Sequence, residues 1–114
     1  MYNGEFYFED KNFKLIKEDI FKALKNFQEK SFDMIFADPP YFLSNNGITC
    51  SSGKMVCVNK GEWDKPSDVE SKHSFNRKWI NECYRVLKDD GTVWISGTLH
   101  NIYSIGMALE QEGF

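Results

Sequence analysis

Long apolar runs are missing from this chain. No stretch of about 18 apolar residues occurs in its 114 residues, which excludes a transmembrane helix. The N-terminus, Met1-Tyr2-Asn3-Gly4-Glu5, lacks a basic segment followed by an apolar one and does not read as a secretory signal. Cysteine is sparse. Cys50, Cys57 and Cys83 are odd in number and lack C-x-x-C spacing, which argues against a disulfide framework and against a zinc site. That usage points to a reducing, cytoplasmic compartment. His73 and His100 have no Cys or carboxylate partners at ligand spacing, so they read as surface or polar-core residues and no metal is expected. Glycine is nearly absent from the first third: Gly4 is the only one before Asp38. There is no internal repeat and no low-complexity tract.

A large positive charge is also missing. The net charge is −3, which is unusual for a protein acting on nucleic acid. Its distribution is uneven. Residues 1–41 carry 6 Lys and 8 acids, residues 42–79 carry 6 bases and 4 acids, and residues 80–114 carry 2 bases and 5 acids. The middle stretch is the only positive one. It suits phosphate contact, and it equally suits a solvated polar loop.

What is present is enough apolar material for a core: 41% hydrophobic residues and 16% aromatics, fitting one small domain or part of a larger one. Phe13–Lys17 reads as a short strand. Glu18-Asp19 then starts a helix with Ile20, Leu24 and Phe27 on one face. Phe32–Ala37 is a nearly continuous apolar run, expected as a central strand covered on both faces. It stops at Asp38-Pro39-Pro40, which cannot continue a ladder. Residues 42–74 are polar, punctuated by Gly47, Gly53, Gly61 and Pro66, and read as a long loop of the kind that is usually functional or mobile. Phe75, Trp79, Cys83 and Val86 mark an amphipathic helix, with Asn76, Arg77, Lys78, Asn81, Glu82 and Arg85 assigned to its polar side. After a turn at Asp89-Asp90-Gly91, Thr92–Ser96 forms a second buried-type strand. A helix near Ile102–Gln111 follows, with Ile102, Ile105 and Leu109 on one face and a stop at Gly113. This alternation specifies an α/β unit with a mainly parallel sheet.

Ligands of open α/β sheets sit beyond the carboxyl ends of the strands, where Asp38 falls. Pro39 and Pro40 lock φ and carry no N–H. The Pro39 carbonyl and the Asp38 carboxylate thus make two fixed acceptors beside each other, matching the two N–H donors of an exocyclic amine. Tyr41 adds a ring for stacking. Such acceptors would stabilise the positive charge that grows on an aromatic amine as it is alkylated. A base inside a duplex must first be flipped out.

Asp38-Pro39-Pro40-Tyr41 resembles the catalytic motif of amino-methyltransferases that use S-adenosylmethionine. The likeness extends to SFDMIFADPPYFLSNNGI, KGEWDK, FNRKWI, RVLKDDGTVWISG and LHNIYSIGMALEQEGF. These blocks resemble the beta group of DNA adenine-N6 methyltransferases, in particular the GATC-type enzymes that accompany DpnII-type restriction systems. The resemblance implies part of a Rossmann-like S-adenosylmethionine-dependent methyltransferase fold, an incomplete, mainly parallel sheet with flanking helices. It implies DNA and S-adenosylmethionine as partners. Asp38 and the Pro39 carbonyl would hold the target amino group, Pro40 would stiffen the turn, and Tyr41 would stack on the flipped adenine. Asp19 matches an acidic position that contacts the cofactor's adenosine portion, and Asp38 also borders that site. Asp19 reads equally well as a helix N-terminal acid favoured by the dipole. Ser96-Gly97 and His100-Asn101 match the block after the second strand, with no chemical step assigned. Trp63 shapes the site or packs the loop.

Some RNA guanine and protein glutamine methyltransferases share Pro-Pro-Tyr after an acid or Asn. They carry a glycine-rich cofactor loop well upstream, which a segment with Gly4 alone cannot supply. A Ser at Asp38 would have suggested cytosine-N4 chemistry. The family's target-recognition region and glycine-rich cofactor motif are expected beyond Phe114. Residues 1–114 are therefore expected to be an N-terminal catalytic part, inactive alone and prone to self-association through an unpaired edge. The alternative is a non-catalytic α/β remnant serving as an interaction or nucleic-acid-binding module.

Overall fold

The computed structural model describes residues 2–42, 48–51, 54–57 and 68–114. The KGEWDK segment, with Trp63, lies outside the described residues, as does much of the basic middle stretch. The chain is an α/β protein. In order it forms β1 (Phe8–Glu9), β2 (Lys14–Leu15), α1 (Ile20–Lys25), β3 (Phe32–Ala37), β4 (Ile48–Ser51), β5 (Lys54–Cys57), α2 (Val69–Val86), β6 (Leu87–Ile95) and α3 (Ile102–Glu112).

The organising unit is β3–α2–β6. β3 and β6 pair in parallel, and a helical crossover joins them. Register runs Met34↔Thr92 through Ala37↔Ile95, but Phe32 already faces Leu87. Two steps along β3 thus oppose five along β6, so the Lys88–Gly91 segment bulges out of the ladder. Gly91 is needed there: a Cβ would lie 2.7 Å from the Leu87 side chain. The Asp89-Asp90-Gly91 turn expected from sequence is this bulge, and β6 begins before it rather than after.

α2 forms because Trp79, Ile80, Cys83 and Val86 recur on one face, all buried. Asp68 caps it, its carboxylate accepting from Ser71 N at 2.8 Å. The helix starts at Val69, inside the stretch expected to be loop, and β4–β5 form an antiparallel hairpin within that same stretch. α3 packs on α2, and Gly113, at φ 104°, ends it in the left-handed conformation. Trp79, Ile80, Cys83, Ile105 and Ala108 make the core, with Ile35, Ala37 and Ile95 of the sheet packed against them. Fully burying a side chain such as Ile80 or Val86 stabilises the fold by roughly 1.5–3 kcal/mol. Burial also pushes the Cys83 thiol up to about 11, so it is a packing residue and not a nucleophile.

Several sequence expectations are corrected. β3 is covered on one face only: Met34 is 58% and Phe36 66% exposed, and Trp94 beside them on β6 is 62% exposed. The first strand shrinks to Lys14–Leu15 and pairs antiparallel with Phe8–Glu9, outside the β3–β6 sheet. α1 ends at Lys25, leaving Phe27 to bridge Tyr2. Ile102 is exposed, while Ala108 takes the buried place on α3. Asn76 is fully buried and not on the polar side of α2. No described helix is long and apolar enough to cross a membrane.

Arg85 ties α1 to this unit. Its guanidinium donates to Leu24 O at 2.8 Å and Phe27 O at 3.0 Å, and pairs with Glu82 at 2.9 Å. It adds a charged donor to Leu24 O, which also accepts from Phe27 N at 3.0 Å, and reaches Phe27 O just past the helix. Arg85→Ala is expected to lose about 2 kcal/mol of stability, and Arg85→Lys to recover only part of it, because a single ammonium cannot fork onto both carbonyls. The urea midpoints of the three proteins measure this; an unchanged midpoint for the Ala variant would refute the tie.

Candidate active site

Parallel pairing puts the carboxyl ends of β3 and β6 side by side. Ala37 faces Ile95, so the next residue on each strand, Asp38 and Ser96, are neighbours. Ser96 N donates to Ala37 O at 2.9 Å and extends the ladder by one rung. Beyond it the prolines end the strand.

Three oxygens then converge. Ser96 Oγ lies 2.5 Å from Asp38 Oδ1, Tyr41 Oη lies 2.6 Å from the same atom, and the two hydroxyl oxygens are 2.8 Å apart. Both hydroxyls can donate to Asp38 Oδ1, which fixes the carboxylate's orientation. The contact with Asp38 holds the Tyr41 phenol above its ordinary pKa; burial and the carboxylate's charge act the same way, and the Ser96 contact opposes them. Pro39, Pro40 and Tyr41 are half-buried and Asp38 is exposed. Phe42 follows in the left-handed region at φ 58°, where a side chain of its size is strained. Its ring packs edge-on against Phe75 at 5.9 Å.

On the other side of the turn, Asn101 Nδ2 donates to Pro40 O at 3.2 Å. Asn101 Oδ1 in turn accepts from Asn76 Nδ2 at 2.7 Å. A cleft of about 510 Å³ opens beside Asp38, Pro39 and Pro40. Consecutive residues from Met34 to Ala37 line it, with Ile20 of α1 and Trp79 of α2 opposite, so it follows the edge of β3 that β6 does not occupy.

Asp19 caps α1. Its Oδ1 accepts from Phe21 N at 3.0 Å and Lys22 N at 3.3 Å. The helix-terminal role weighed from sequence is thus realised, and the neighbouring Ile20 lines the cleft. Sequence reasoning left three residues without a part. Ser96 had a usable signal, since it directly follows a strand parallel to the one ending in Asp38. Asn101 had a weaker one, in the His100-Asn101 block after the second strand, and Asn76 had none, because polar residues on an amphipathic helix read as solvent-facing.

A family model for DNA methylases of the N6/N4 type matches residues 32–114. The chain belongs to the N6/N4 DNA methylase family. This methylase segment is 61% identical over 108 residues to the type II methyltransferase M2.DpnII of Streptococcus pneumoniae. It is 59% identical over 108 residues to M2.LlaDCHI of Lactococcus lactis subsp. cremoris, and 49% identical over 110 residues to M2.MboI of Moraxella bovis. Each match covers 95% of this chain and 40% of the relative, so the chain spans about two-fifths of the length of these methyltransferases.

The raised Tyr41 phenol carries a pH signature. A phenol whose folded pKa is raised favours folding while it is neutral. That contribution is complete below its ordinary value near pH ~10 and is lost as pH rises through the raised value. The stability difference between wild type and Tyr41→Phe is expected to be constant up to about pH 10 and to narrow above it. Denaturation titrations of both proteins up to about pH 11.5 test this; a difference that stays flat throughout would contradict the contact with Asp38.

Proposed function

We propose that this segment supplies the amine-binding turn of a DNA adenine-N6 methyltransferase within a Rossmann-like fold. The observation that carries the proposal is the oriented Asp38 carboxylate, clasped by Ser96 and Tyr41 and followed by two prolines, at the carboxyl end of a parallel strand in a DNA methylase family member. Asp38 and the Pro39 carbonyl would accept from the two N–H groups of the adenine amine. As the amine attacks, these acceptors stabilise the growing positive charge on nitrogen without reorganising. Tyr41 would contact the flipped base while its hydroxyl steadies Asp38. An Asp at this position, where the family's cytosine-N4 members would be expected to carry Ser, favours adenine. The relatives are named type II methyltransferases, which supports a place in a restriction-modification system.

S-adenosylmethionine, as the methyl donor, would supply an electrophilic methyl group. The residues present suit part of such a ligand. The cleft lies in the size range of small-molecule sites; Asp38 lines it, and Asp19 directly precedes Ile20, which lines it too. The Asp19 Oδ2 atom takes no part in capping α1 and is the oxygen that would meet a hydroxyl. The glycine-rich turn through which a backbone approaches a nucleotide-like ligand is a further requirement.

In the full-length methyltransferase that carries this segment, Asp38→Ala should lower kcat by about two to three orders of magnitude, the scale seen when one preorganised hydrogen-bonding group is removed. The thermal midpoint should fall only a little, since Asp38 is exposed and its contacts with Ser96 and Tyr41 lie at the surface of the site. Tritium transfer to an adenine-containing oligonucleotide reads the rate, and near-wild-type transfer would sink the assignment.

The 114-residue polypeptide by itself should show no saturable binding of S-adenosylmethionine at micromolar concentrations and should self-associate. Met34, Phe36 and Trp94 form an exposed apolar sheet face, and among the described residues β3 pairs only with β6. Calorimetric titration with parallel sedimentation decides: a one-to-one isotherm from a monodisperse monomer contradicts this.

A further inference from the structure

The Asp38–Tyr41 turn has an unusual anchoring problem. Pro39 and Pro40 carry no N–H, so the turn can be held at these residues only through their carbonyls. Among the described residues, one buried side chain supplies the hold. Asn101 Nδ2 donates to Pro40 O at 3.2 Å, and Asn101 is 1% exposed.

Asn101 gives up a local partner to do so. It occupies the N-cap of α3, where an Asn side chain ordinarily accepts from the first backbone N–H groups of its helix. Here it makes no such bond. Its Oδ1 instead accepts from Asn76 Nδ2 at 2.7 Å, and Asn76, on α2, is fully buried. Asn76 is itself fixed, accepting from Trp79 Nε1 at 3.1 Å and donating to Ser104 Oγ at 3.0 Å. This chain has a polarity. With Oδ1 of Asn101 facing a donor, its Nδ2 must face Pro40, and a flipped amide would set donor against donor and acceptor against acceptor. Two buried asparagines between packed helices are costly unless fully satisfied, and the end of their chain is the turn.

We infer that Asn101, oriented by Asn76, is a positioning residue that sets the Pro40–Tyr41 peptide plane. The inference rests on the reading of the turn as the amine-binding site. Because a peptide unit is planar, holding the Pro40 carbonyl also holds Tyr41 N and Cα. It thereby sets where the Tyr41 ring departs and where its hydroxyl meets Asp38. Ser96 fixes the turn from β6, and Asn101 fixes it from α3. Neither asparagine touches the reacting atoms.

Asn101→Asp separates positioning from mere packing. The carboxylate still accepts from Asn76 but cannot donate to Pro40. In the full-length methyltransferase carrying this segment, kcat is expected to fall about tenfold, the worth of one hydrogen bond, with KM for S-adenosylmethionine within about twofold of wild type. A buried carboxyl has a raised pKa, and once protonated it can donate to Pro40 again. Activity relative to wild type should therefore rise as the assay is taken from about pH 8 to about pH 5.5. Ser104→Ala leaves the Asn76–Asn101–Pro40 links in place and should keep kcat within about twofold. If Asn101→Asp does not fold, Asn101→Ser, shorter and still polar, serves, with the same kcat loss and no recovery at low pH. With an active wild type, kcat within twofold for the Asn101 variants overturns the inference. So does a loss that tracks the thermal midpoint and ignores pH in Asn101→Asp. An inactive wild type overturns the methyl-transfer reading itself, and this inference falls with it.

Discussion

The parallel pairing of β3 with β6, in the register that sets Ala37 against Ile95, is the constraint from which the site follows. Parallel strands end at the same edge of a sheet, so the residues that leave them meet there. Asp38 leaves one strand and Ser96 the other. A slip of one residue would turn every side chain to the opposite face and separate the two. The register is held from inside: Ile35, Ala37 and Ile95 pack on the α2–α3 core. The ion pairs at the other end of the strands, Lys88–Asp33 and Lys30–Asp89, are exposed and contribute little.

The helical layer does two jobs. Its apolar stripe of Trp79, Ile80, Cys83, Ile105 and Ala108 supplies the adhesion. Its buried polar line, from Asn76 to Asn101, reaches the Pro-Pro turn. Hydrophobic contact is strong and non-directional, so it can place helices on a sheet without specifying how a turn is oriented. Hydrogen bonds with a fixed donor order can, and here they orient a segment that has no N–H groups of its own to offer.

The opposite face of the sheet is built differently. Met34, Phe36 and Trp94 stand in solvent, and an apolar cleft follows the edge of β3. The apolar run Phe32–Ala37 reads as doubly covered because every second residue is as hydrophobic as its neighbours. Composition records what a strand is able to bury, and the structure records what covers it.

Local chemistry was legible from residues alone. The strand ending at Asp38-Pro39-Pro40, the amphipathic stripe of α2 and the Gly113 stop each depend on side chains acting on nearby backbone, and each is where sequence placed it. The extent of the elements was not. Val69–Ser74 is mostly polar, and its helix is supported by the Asp68 cap and by His73 bonding Ser104 and Gln111 of α3; the Phe13–Lys17 strand shortened because its partner proved to be Phe8–Glu9. The tetrapeptide and the family resemblance were determined by sequence, since a contiguous run of residues does not depend on distant partners. The tertiary structure alone decided that Ser96, 58 residues from Asp38, clasps its carboxylate, and that Asn101, 61 residues from Pro40, holds its carbonyl. The order of strands suggests that Asp38 and Ser96 leave the same sheet edge, but which polar side chains bond is set by the surfaces the fold brings together.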